Sequence, residues 1–167
     1  MKLHALFGNL SNIVVAANVT TNNSGDAPEL PGLLEQASSA FTIAELSADK
    51  AYMSYRVLEA ADDALAAPFI PFKSNHKDNP DHPLWHKLWA LFTLEQEEFL
   101  RHYGQRQNSE AGFSALKRVI SATVRAKRDR ARINEALAVV VAYNLTRVVH
   151  AMFKLGVAPG FGFKTAA

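Results

Sequence analysis

Apolar and polar residues alternate in "KLHALF" (residues 2–7), and a β-branched run, "IVVAANVT" (13–20), follows the turn formers of "GNLSN". Period-two patterning on both sides of a short polar turn predicts an antiparallel hairpin. "TNNSGD" breaks that pattern, and "APELPGLLEQASSA" (27–40) then takes helical spacing. Asp26 followed three residues later by Glu29, with Pro28 in the first turn, reads as a capping box for this helix, against the alternative of a metal-ligand role for Asp26. "FTIAELSADKAY" (41–52) is a short apolar run ending in a polar cluster that holds Asp49. "SYRVLEAADDALA" reads as an amphipathic helix and "APFIPF" as a second short strand. The segment order is thus β-β-α-β-α-β, a mixed α/β arrangement. After the turn-rich loop "KSNHKDNPDHP" the periodicity is helical, over 84–103, 103–124 and 131–155. One domain is expected over 1–155, with a flexible Gly/Pro-punctuated tail over 156–167 and no internal repeat.

Composition narrows the class. A chain of 167 residues, 49% hydrophobic and 20% charged, suits one folded domain and not a disordered segment. It has no cysteine, so disulfide and thiolate-metal frameworks are excluded and a reducing cytosol fits. No secretory signature opens the chain. "ALAVVVAYNLT" gives 11 uncharged residues before Arg147, too short a run to span a bilayer, so a cytoplasmic protein without a membrane partner is expected. The net charge of +2 conceals a split: residues 1–100 hold 6 Lys/Arg against 13 Asp/Glu (−7), and residues 101–167 hold 12 against 3 (+9). A strongly basic half points to a polyanion, because clustered Lys/Arg release counterions from phosphates.

Asp49 falls at the carboxyl end of a predicted buried strand, where open α/β sheets meet their ligands, although strand-end aspartates also serve as caps. Tyr103, Arg106, Glu110 and Lys117 fall within an arc of about 60° on a helical wheel. Glu110 borders the apolar Phe113, Leu116 and Ile120, at the edge of a core. Asp49 and Glu110 together offer hard oxygen ligands suited to Mg²⁺ or Mn²⁺. Arg106 and Lys117 could bind phosphates, and Tyr103 could pack on a sugar or an unpaired base. The alternative is an amphipathic helix with an Arg106–Glu110 pair worth a few tenths of a kcal/mol. "KRVISATVRAKRDRAR" (117–132) adds seven Lys/Arg, among them Lys117, Arg118, Arg125, Lys127 and Arg128, and offers a phosphate-backbone contact or a solvated face. His82 and His86 stand one helical turn apart but lack the acidic base of a zinc-protease signature. Trp85, Trp89 and Phe92 recur at helical spacing as core residues. Asn144 and Arg147 serve either buried backbone or the basic patch.

Tyr103-x2-Arg106-x3-Glu110-x6-Lys117 resembles the Y-R-E-K signature of bacterial insertion-sequence transposases, whose DDE catalytic core is RNase H-like. "SADKAYMSYRVLEA" with "PFIPFKSN" resembles the family's second-aspartate strand and the helix after it. The hairpin and helix of residues 2–35 and the closing helix "RAKRDRARINEALAVVVAYNLTRVV" extend the resemblance to about residue 155. The resemblance implies that Asp49 is the second aspartate of the triad and Glu110 its glutamate, both ligating divalent metal. It implies that Tyr103, Arg106 and Lys117 hold transposon-end DNA near the scissile phosphate. The family chemistry is two-metal phosphoryl transfer, first from water and then from the freed 3′-hydroxyl to target DNA.

One departure limits this. The family's first aspartate lies on a strand before the hairpin, and this chain begins at the hairpin, with no Asp or Glu before Asp26. The absent strand belongs between the hairpin and the Asp49 strand. The expectation is therefore an RNase H-like core without its first strand, followed by a C-terminal helical part. It would be a transposase fragment from a truncated or frameshifted gene, with weakened metal binding and no activity alone. Its partners would be transposon-end and target DNA, and either a second copy or the full-length transposase. Rival readings are a non-catalytic DNA-binding regulator of transposition and a helical interaction protein that binds no nucleic acid.

Overall fold

The computed structural model describes residues 1–20 and 25–156. Strands β1 (Lys2–Phe7) and β2 (Val14–Thr20) form the expected hairpin, with Lys2 opposite Thr20 and a register shift between Leu6 and Phe7. Helix α1 spans Leu30–Ser38, entered through a 3-10 turn at Ala27–Glu29. Strand β3 (Glu45–Ser47), a 3-10 turn (Lys50–Tyr52), helix α2 (Tyr55–Asp63) and strand β4 (Ala67–Phe69) complete the β-β-α-β-α-β order. β3 and β4 pair in parallel through the α2 crossover, and their sheet is separate from the hairpin.

Helices α3 (Pro83–Leu94), α4 (Gln96–Tyr103), α5 (Arg106–Thr123) and α6 (Asp129–Leu155) follow. The helix predicted over 84–103 breaks at Glu95, which leaves helical geometry at φ −122° and ψ 47°. His82 caps α3, its Nδ1 accepting from the Trp85 amide at 3.3 Å, while His86 pairs with Asp78. Gly156 closes α6 in the left-handed region at φ +65°, the conformation that glycine adopts without penalty. The predicted tail beyond it lies outside the described residues.

Two cores result. Leu34, Leu46, Val57, Leu58, Ile70, Trp85 and Phe99 build one between β3–β4 and helices α1–α4, with Trp89 and Phe92 packed against it as expected. Val14, Val19, Leu116, Ile120, Ala136, Val139 and Val140 build the other, between the hairpin, α5 and α6. Leu33 and Ala37 of α1 pack on Ala16 of β2 and link α1 to the hairpin. Gly112 permits the close approach of α5, since a Cβ there would meet the Phe7 ring and the Asn12 Oδ1 at 3.2 Å.

α6 differs from its sequence reading in one respect. The uncharged run is short, yet Asp129–Lys154 as a whole is long and apolar enough to cross a membrane by length and composition. In the fold one side of this helix is core, and its polar residues grip the hairpin turn. Asn144 accepts from the Val14 amide at 2.9 Å and donates to the Val14 carbonyl at 2.8 Å, and Arg147 donates to the Ser11 carbonyl at 3.4 Å. Of the two roles open to these residues, both serve backbone.

Candidate nucleic-acid and metal site

β3 carries the chain into the site. Asp49 lies just past its carboxyl end in extended geometry, where Oδ1 caps the 3-10 turn by accepting from the Ala51 amide at 3.0 Å. The carboxylate therefore performs the capping role and has its second oxygen left for other work. That oxygen, Oδ2, accepts from Arg106 Nη1 at 3.4 Å. Arg106 opens α5, and its Nη2 donates to Glu110 Oε1 one turn on. One guanidinium thus joins the two carboxylates that the sequence set far apart.

The stripe from Tyr103 to Lys117 is not one helix. Gly104 and Gln105 separate α4 from α5, so Tyr103 ends one helix and Arg106 begins the next. Tyr103 is half-buried, stacked on Phe99, with the Arg106 guanidinium 5.6 Å from its ring centroid. Glu110 is more exposed than its core-edge reading predicts: its side chain is 58% accessible, because α5 turns Leu116 and Ile120 inward and leaves Glu110 at the rim. Lys117 is exposed, its ammonium 5.3 Å from the Phe113 ring centroid.

Asp26 requires a correction. Its side chain makes no cap bond to the helix that follows; Oδ1 instead pairs with Lys2 at 2.8 Å and with the buried His4 at 3.1 Å. The capping-box partner Glu29 is also diverted, accepting from Asn18 Nδ2 at 2.9 Å. The hairpin presents better-placed donors than the amides of a single 3-10 turn, so tertiary contacts override the local motif. His4 accounts for the difference through ordinary strand alternation, which sets it on the face toward Asp26.

Asp26, Asp49, Arg106, Glu110 and Lys117 line one cavity of about 1040 Å³ between β1 and β3. Tyr52 lines it too, a residue the sequence did not single out. Burial, then the Asp26 and Asp49 carboxylates, push its hydroxyl up to about 12, with Arg106 pulling the other way. Asn9 of the hairpin turn donates to Gln105 at 2.9 Å and ties the hairpin to the start of α5.

The residues present do not make a divalent-metal site as arranged. Among the described residues no three His, Asp or Glu side chains converge on a common point. A hard cation needs several oxygens, and here a guanidinium already engages both carboxylates.

The basic block divides between the end of α5, the 124–128 loop and the start of α6. Arg118, Arg125, Lys127 and Arg128 are all exposed. Glu135 of α6 reaches back to this loop, where Oε2 accepts from the Arg125 amide at 3.1 Å and the Ala126 amide at 2.9 Å. The sequence offered no signal for that anchor beyond an acid in a basic region.

Residues 1–145 match the family model for the transposase DDE domain. No curated protein and no solved structure matches the chain. The mixed α/β architecture agrees with an RNase H-like DDE core in which, among the described residues, no strand lies between the hairpin and β3. With more than half its length matched, the chain belongs to the transposase DDE-domain family.

Proposed function

We propose that this chain binds DNA as a bacterial insertion-sequence transposase domain and does not cut DNA on its own. The observation that carries the reading is the Arg106 bridge: Asp49 and Glu110, the second and third carboxylates of the family triad by resemblance, are both engaged by a cation. No third carboxylate joins them among the described residues. In the family that triad holds Mg²⁺ or Mn²⁺ for phosphodiester cleavage and strand transfer. Here the other acids lining the cavity are paired as well, Asp26 with Lys2 and Glu45 with His102.

DNA binding falls to Tyr103, Arg106 and Lys117 beside the cavity and to Arg118, Arg125, Lys127 and Arg128 around the loop that Glu135 holds. The catalytic domain in this reading is residues 1–155. This reading takes α6 as part of the domain, since Ala136, Val139 and Val140 pack on the hairpin side and Asn144 bonds to strand backbone. It expects a cytoplasmic protein. A chain that grips transposon ends without cutting them would compete with the full-length transposase, or assemble with it or with a second copy. The family match and the exposed Arg118, Arg125, Lys127 and Arg128 favour this non-catalytic regulator over an interaction protein that binds no nucleic acid.

Labelled transposon-end duplex, titrated with the chain at several salt concentrations and then incubated with Mg²⁺ or Mn²⁺, tests the reading. Expected are salt-dependent binding and intact DNA. Absence of binding at low salt would sink the DNA assignment. Robust metal-dependent cleavage lost in Asp49→Ala would sink the claim of inactivity.

A further inference from the structure

Arg147, His150 and Lys154 recur at i, i+3 and i+7 along α6. That spacing sets them on one side of the helix, within about 60° of arc and about 10 Å of axis. All three line a further cavity, of about 270 Å³, where α6 meets Ser11 and Asn12 of the hairpin turn. The turn stands between this cavity and the larger one, since Leu10 and Ser11 line both. It is held from either side: Asn9 donates to Gln105 at the start of α5, and Arg147 Nε donates to the Ser11 carbonyl.

The charge of this cavity is not offset. No Asp or Glu lines it, and α6 carries none after Glu135. His150 and Lys154 have no partner among the described residues, and the Arg147 bond to Ser11 uses Nε and leaves both Nη groups to donate. Ser11 Oγ accepts from the Ile13 amide at 3.2 Å, so its own proton is left to donate. Like charges one turn apart destabilise a helix by a few tenths of a kcal/mol. The helix dipole repays this only in the last turn, where Lys154 lies; Arg147 and His150 come before it.

We propose that this cavity binds a phosphate group, drawn either from the backbone of duplex DNA or from free phosphate. The donors come from the turn and from three levels of α6. A tetrahedral anion meets donors from several directions, whereas a planar carboxylate offers two oxygens in one plane. The Arg147 fork takes two phosphate oxygens, Lys154 supplies a point charge, and the Ser11 hydroxyl and the His150 ring complete the shell. The volume lies below the range of about 300–1,000 Å³ usual for larger organic ligands, which suits a single charged group. The phosphate site stands apart from the Arg106 cavity; only its DNA source rests on the DNA binding proposed above.

The test titrates the full chain with inorganic phosphate at constant ionic strength and follows the Ser11 and Asn12 amides and the Arg147 Nε–H by nuclear magnetic resonance. Expected are saturating shifts with half-saturation on the order of millimolar, and acetate at least about tenfold weaker. His150→Gln/Lys154→Gln, which removes no bond made within the described residues, weakens phosphate by at least about tenfold. Arg147→Lys, which keeps the charge and loses the fork, weakens it too. Shifts still linear at about 10 mM phosphate, equal affinity for acetate, or an unchanged affinity in the double variant overturns the proposal. The same double variant, titrated with duplex DNA, identifies the source. A fall of about 0.9 in the slope of log affinity against log salt assigns the site to one backbone phosphate, and an unchanged slope with the phosphate result intact assigns it to free phosphate. Saturable phosphate binding by a chain that binds no DNA at low salt would remove the DNA reading and leave this site standing.

Discussion

Arg106 Nη1 lies 3.4 Å from Asp49 Oδ2, joining the first turn of α5 to the end of β3. The same guanidinium bonds Glu110, so its charge is shared between two acids. Arg106→Gln leaves both carboxylates with one cation fewer. Mn²⁺ association, followed by the electron paramagnetic signal of the free ion, is expected to rise above that of the unsubstituted chain, whereas Arg106→Lys leaves it near the original. Asp49 and Glu110 are about half exposed, so the stability change is screened and stays below about 1 kcal/mol in urea titration.

Tyr52 reports on the same cluster. Its hydroxyl is pushed up to about 12, by burial first and then by Asp26 and Asp49. Tyrosinate absorbance on raising the pH should show one slow tyrosine that Tyr52→Phe removes. The neutral phenol is the favoured folded form, so the contribution is intact below the unfolded value of about 10 and is lost as the pH rises beyond it. Asp26→Asn and Asp49→Asn each lower the Tyr52 value without normalising it, because burial remains. A Tyr52 titration indifferent to both would place the carboxylates too far away to act on it.

Asn144 satisfies both backbone groups of Val14, a residue only 6% exposed. Asn144→Ala leaves a buried amide and carbonyl without partners. Each such group costs about 1–3 kcal/mol, so a loss of about 2–4 kcal/mol is expected in denaturant unfolding, with some relief if water enters. Thr146→Ala, two residues along and exposed, should change stability by less than about 0.5 kcal/mol.

What could be read from sequence was what local physics decides. The hairpin, the α2 crossover and the Trp85 core follow from periodicity, and their residues obey it in the fold. Asp26 shows the limit, since its motif was a sound capping signal and Lys2 and His4 outbid the helix amides. Asn144 and Glu135 show another, because an amide or acid on a helix does not reveal which distant backbone it serves. Arg106 was legible as a partner of Glu110 through i,i+4 spacing. Its bond to Asp49 depends on how β3 and α5 meet, which no spacing encodes.

His102 gives a pH dependence at the opposite end of β3. Its Nδ1 pairs with Glu45 at 2.9 Å and its Nε2 with Glu98 at 3.0 Å, while its ring stacks on Phe69 with centroids 4.4 Å apart. The Glu45 bond first, then the Glu98 bond, hold its pKa above the ordinary histidine value. A raised folded value means that this stabilisation is complete below the unfolded value of about 6.5 and fades as the pH rises through the folded one. Stability measured from pH 6 upward should therefore fall more steeply for the unsubstituted chain than for His102→Gln. Equal slopes would show that folding leaves the His102 pKa unshifted, so that Glu45 and Glu98 do not favour its charged form.

The loop after α5 permits a quantitative test of DNA contact. Lys127 and Arg128 are exposed on a segment whose backbone Glu135 holds in place. If both side chains neutralise phosphates on duplex DNA, each contributes about 0.9 to the slope of log affinity against log salt. The double variant Lys127→Ala/Arg128→Ala should then lower that slope by about 1.8, weaken binding similarly on every sequence, and leave the fold intact. Glu135→Gln keeps both cations but loosens the loop; it should lower affinity at low salt while leaving the slope nearly unchanged. A double variant with the original slope would remove this loop from the DNA interface and shift the contact to Arg106 and Lys117 beside the cavity.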